Sequence, residues 1–86
     1  MLRIELVEEA PNRLRVTLHG TLSGRWVDEL RRLLDEHSTS ALALDLAELR
    51  FMDAAGEALM QVHLARGAEV ARCSPYIAAA LGVDPR

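Results

Sequence analysis

Lysine is absent from this chain: all ten cations are arginines, scattered from Arg3 to Arg86, with Arg31 and Arg32 the only adjacent pair. No basic stripe results, and with thirteen acidic residues the formal charge is −3, so the footprint needed to grip a phosphate backbone is missing. Aromatics are scarce too. Trp26, Phe51 and Tyr76 are the only three, too few for base-stacking platforms, and nucleic acid is excluded as a partner. Cysteine occurs once, at Cys73, which rules out an internal disulfide and suits a reducing compartment. Nowhere do about 18 apolar residues run together, and the start MLRIELVEE alternates apolar with charged residues, unlike a secretory leader. A cytoplasmic protein with no membrane insertion is expected. Arginine for every lysine in an Ala- and Leu-rich chain also looks like GC-rich coding and a bacterial source.

What is present is an ordinary globular balance, half apolar and about a quarter charged, over 86 residues. That length gives one domain, 1–86, with a core built from Leu, Val, Ile and Ala. Leu2, Ile4 and Leu6 alternate with charged residues, as do Leu14, Val16 and Leu18, so two half-buried strands are predicted, joined by a turn at Ala10-Pro11-Asn12. The period then changes. Trp26, Leu30, Leu33, Leu34 and His37 fall at helical spacing, predicting a first helix with its N-cap at Thr21 or Ser23. The run Ala41 to Leu46, interrupted only by Asp45, reads as a short central strand buried on both faces and followed by a loop. Asp53 then opens a helix from Ala54 to Arg66, stopped by Gly67. Ala68, Val70 and Ala71 give a weak fourth strand, and Ser74-Pro75 starts a short third helix ending at Gly82. The predicted order is β-β-α-β-α-β-α, an α/β fold with a mixed sheet of about four strands and three helices.

Little chemistry is patterned on this frame. His19, His37 and His63 are far apart and none sits four residues from another His or a Cys, so no metal site is predicted. Cys73 has no basic neighbour but Arg72 and reads as a structural thiol. Gly20-Thr21-Leu22-Ser23-Gly24 lacks the Lys-Ser/Thr ending of a phosphate loop, and nothing in their spacing selects Asp45 and Asp53 as an acid/base pair. The segment that stands out is Asp53-Ala54-Ala55-Gly56, an Asp at a helix start followed by three small residues. It is either an N-cap on a tightly packed helix or a place where another surface approaches free backbone N–H groups. The residues alone leave both open.

Leu44-Asp45-Leu46 followed by Phe51-Met52-Asp53-Ala54-Ala55-Gly56 resembles the STAS (anti-sigma-factor antagonist) signature, in which a strand ending in Asp-Leu leads to an apolar-Asp-Ser-Ser/Thr-Gly turn. His19-Gly20-Thr21-Leu22 looks like the family's entry to its first helix, and Ala65-Arg66-Gly67 with the Ser-Pro helix matches its tail. The resemblance covers nearly the whole chain and implies a STAS-like fold, with which the element order derived above agrees.

It also implies a function: a non-catalytic module, without cofactor, that docks on a regulatory protein such as an anti-sigma kinase and is released when a hydroxyl at the helix start is phosphorylated. Here the acceptor position falls on Ala55, and Ala54 has no hydroxyl either, so the module is expected to stay in its unphosphorylated form. Glu57 replaces the apolar residue usual after the glycine. The implied partner surface is Thr21, Ser23, Asp53, Ala54, Ala55, Gly56 and Glu57, with Thr21, Ser23 or the Ser38-Thr39-Ser40 cluster as other hydroxyls open to a kinase. Within the same class the chain could be the small STAS subunit of a bacterial lipid-transport ABC system, docking on its ATPase. A different class is an anion or small-ligand site at the second helix's N-terminus, and a homo-oligomer stays open as well.

Overall fold

The computed structural model describes residues 1–84 and places the elements in the order β1 (Leu2–Ala10), β2 (Arg13–Leu22), α1 (Arg25–Glu36), β3 (Ala41–Met52), α2 (Ala54–Ala65), β4 (Glu69–Cys73) and α3 (Pro75–Leu81). The sheet order is β1-β2-β3-β4, antiparallel between β1 and β2 and parallel in the other two pairs. This is the mixed α/β arrangement expected from the periodicities. Asn12 supplies the left-handed residue of the β1–β2 turn, at φ 62°.

Register decides which side of each strand is core. Leu14, Val16 and Leu18 of β2 lie level with Ile4 and Leu6 of β1 and with Leu42 and Leu44 of β3, so one face of the sheet is a continuous apolar surface. Val27, Leu30 and Leu34 of α1, Leu59 and Met60 of α2, and Ile77, Ala78 and Leu81 of α3 join these strand residues in one buried cluster. All three helices therefore cover the same face.

The other face carries charge instead of helices. Asp45 is only 2% exposed, and Arg72 grips it with Nη2–Oδ2 at 2.6 Å and Nε 3.2 Å from both oxygens. Arg15 approaches the same carboxylate at 3.7 Å and also binds Glu9 at 3.2 Å. Burial alone would raise the Asp45 carboxyl, but the Arg72 bonds, the Ala47 N–H and the two guanidinium charges outweigh it and hold it below the usual carboxylate range. Four consecutive residues, Ala43 to Leu46, are thus buried on alternating sides. The sequence expectation of a strand covered on both faces holds, with arginine stems forming the second cover.

Three expectations are corrected. The expected loop after Leu46 is strand, because β3 continues to Met52 alongside β2, and register shifts opposite Thr17–His19 and Gly20–Thr21 break the alternation into buried Leu46, Leu49 and Met52. On α1 the core stripe is Val27, Leu30 and Leu34: the two leucines lie where expected, but Val27 takes the place of Trp26, and Trp26, Leu33 and His37 are half-buried. Trp26 instead carries the Arg25 guanidinium 4.9 Å from its ring centroid. Neither Thr21 nor Ser23 caps α1: the N-cap is Gly24, at φ 57° and ψ −132°, a positive-φ conformation that favours glycine, and no side-chain hydrogen bond from the cap residue closes the helix.

Candidate functional site

Asp53 organises the end of the molecule where α1 and α2 begin. Its extended backbone ends β3, its N–H donates to Leu22 O at 3.1 Å, and its Oδ1 accepts from Gly56 N–H at 2.8 Å, a side-chain N-cap for α2. The second oxygen, Oδ2, accepts from Gly24 N–H at 3.0 Å. One carboxylate therefore fixes the starts of both helices, across 29 residues of sequence. The Gly24 and Gly56 bonds, with a smaller contribution from the Ala55 N–H, outweigh partial burial and hold the Asp53 carboxyl below its ordinary range.

Gly56 completes the join. It is buried, and a Cβ at this position would lie 2.6 Å from Leu22 O and 2.9 Å from Leu22 Cγ. Only glycine lets the first turn of α2 sit this close to the end of β2. Between these two fixed points Ala54 and Ala55 face outward and are exposed, Glu57 is half-buried, and Phe51 just before them is 45% exposed. The result is a small surface of methyl groups at the helix start, with no hydroxyl from residue 53 to residue 57.

The remaining sequence-predicted residues divide. Ser23 is half-buried beside Gly24, and its carbonyl accepts the Trp26 N–H at 3.1 Å. The hydroxyl of Thr21 accepts from the Met1 ammonium at 2.9 Å and lies 3.3 Å from Met1 O, so it is engaged within the chain. Ser38 and Ser40 line a cavity of about 170 Å³ with His63, Arg66 and Gly67, beside the C-terminal end of α2 and away from Ala54 and Ala55. Asp45 and Asp53 are each committed elsewhere, Asp45 to Arg72 and Arg15, Asp53 to two backbone N–H groups. Cys73 is buried on the helix-covered face opposite Leu46.

Sequence reasoning singled out Asp53 and Gly56 and set the Gly20–Gly24 loop beside them, but it missed Gly24 as the N-cap of α1 and its bond to Asp53. It also missed the Asp45–Arg72 pair, since strand register, and not spacing, brings residues 27 apart together.

No protein-family model and no curated protein matches the sequence. Among solved structures, the chain is similar to the anti-sigma factor antagonist SpoIIAA in its unphosphorylated form, with a TM-score of 0.66 and 19% identity, over 96% of this chain and 84% of that one. It is also similar to an uncharacterized protein of the DUF3478 family from Shewanella loihica PV-4, described as having a SpoIIAA-like fold, with a TM-score of 0.55 and 16% identity over 84% of this chain and 64% of that one.

Proposed function

We propose that this chain, which has the SpoIIAA-like fold, is a non-catalytic interaction module in which residues 1–86 act as one cytoplasmic unit and dock a regulatory protein at the start of α2. The observation that carries the reading is the outward pair Ala54 and Ala55, held between Asp53 and the buried Gly56. A rigid helix start with small apolar side chains, preceded in the chain by the exposed Phe51, suits close approach by another protein surface. Thr21, Ser23 and Glu57 flank it. Because residues 53–57 hold no hydroxyl, docking here is not switched by phosphorylation at that turn. The partner is a regulatory protein, either an anti-sigma kinase or the ATPase of a bacterial lipid-transport ABC system.

An anion site at the start of α2 has less support. The Gly56 and Gly24 N–H groups that such a ligand would use already donate to Asp53, so an incoming anion would have to displace a carboxylate. The test is partner affinity with two variants. Ala55→Glu puts a charge into the docking surface at a helix end that tolerates acidic residues, so the fold should be kept while affinity falls about a hundredfold or more. Ala55→Ser should bind like wild type and become a substrate for a serine kinase, read by phosphopeptide mass spectrometry. Equal affinity of wild type and a folded Ala55→Glu would move the docking surface elsewhere.

A further inference from the structure

We propose that the seam between α1 and α2 is an acid-sensitive joint built on His63. The side chain comes from the last turn of α2 and is 7% exposed, yet its ring makes no hydrogen bond or ion pair with any described residue. It lines two cavities. One, of about 170 Å³, lies between the α1–β3 turn and the end of α2; the other runs along the groove between the helices beside Arg31, Ala58 and Val62. One permanent charge of each sign, Asp35 and Arg66, faces the first cavity, so its walls single out no ligand.

Its surroundings hold it neutral. From α1 it is faced by Arg31 and Asp35, from the turn after α1 by His37, and from its own helix by Arg66; β3 and the residue before β4 contribute Ala41, Leu42 and Ala68, which carry no charge. Burial is the first cause that depresses its protonation and the Arg66 charge the second, while Asp35 opposes them without prevailing. An imidazolium here would meet the Arg66 charge, with Asp35 the one carboxylate opposing it. In the closed seam the ring takes a proton less readily than it does in the open chain. Because the closed form binds fewer protons than the open one, closure is favoured above the ordinary histidine value of about 6.5 and weakens as pH falls below it. Leu34 lines the first cavity and Leu59 the second, both buried core residues that parting the helices would uncover.

The experiment combines proton NMR of the histidine rings in the full chain with melting curves at about pH 8 and about pH 5.5 for wild type, His63→Leu, His63→Gln and a His37→Gln control. The His63 ring should titrate below the value it takes in the denatured chain. Wild type and the His37 variant should melt several degrees lower at the acid pH, and both His63 variants should lose most of that difference. A His63 ring that titrates at or above the denatured value overturns the proposal, and so do His63 variants that keep the full acid drop. Should His63→Leu fail to fold, His63→Gln and the wild-type titration still decide it.

Discussion

Gly56 sets the distance between α2 and the end of β2, so Gly56→Ala should cost roughly 1–3 kcal/mol or more, as forced overpacking does, because the obstructing atom is the Leu22 carbonyl and backbone cannot step aside. Urea denaturation measures it. Asp53 allows a finer test: Asp53→Ala frees both Gly24 and Gly56 N–H groups, whereas Asp53→Asn has a single carbonyl oxygen and can keep one bond well. The denaturation midpoint should order wild type, then Asn, then Ala. On α1, Leu30 is fully buried and Leu30→Ala should cost about 2–5 kcal/mol, while Trp26→Ala should cost less because the ring is half-buried under Arg25. The sequence placed Trp26 in the core because it begins an i, i+4 series with Leu30. It does not reveal that the helix turns Val27 inward, since Val27, Leu30 and Leu34 fit the period equally well.

Each element's ends proved harder to read than its type. The starts of α2 and α3 were legible because Asp53 and Ser74 cap their own helices, donors and acceptor lying three residues apart in sequence. The start of α1 was not, because its tether belongs to a residue 29 positions away. The same distance problem hid the second half of β3, where bulges against β2 replace the period of two on which a strand is recognised. These long-range ties have an acid signature. Asp53 and Asp45 both titrate below the usual range, so their native contacts stabilise the fold above about pH 3.9 and that stabilisation is lost as the pH drops through their depressed native values. Asp53→Asn should therefore flatten part of the acid limb below about pH 4 without altering the step near neutrality that belongs to His63. A pH series of melting curves separates the two.

Across the whole molecule the sheet is asymmetric, three helices on one face and a lattice of arginine and carboxylate on the other. The central strands β2 and β3 are paired on both sides, and Val16, Leu18, Leu44 and Leu46 are all fully buried. Their amides should exchange with deuterium last, and those of the five-residue edge strand β4 well before them. The fold class and the Asp53 start of α2 could be read from the chain because hydrophobic period and local caps encode them; the charged face could not, because strand pairing creates it. The shared carboxylate of Asp53 divides the labour around the docking end. Gly24, Asp53 and Gly56 hold one another in place, whereas Ala54 and Ala55 touch nothing that requires alanine. Lineages that have exchanged one partner for another should thus diverge freely at 54 and 55 while keeping the Gly-Asp-Gly triplet unchanged, a drift pattern that would record a history of partners on an unaltered mount.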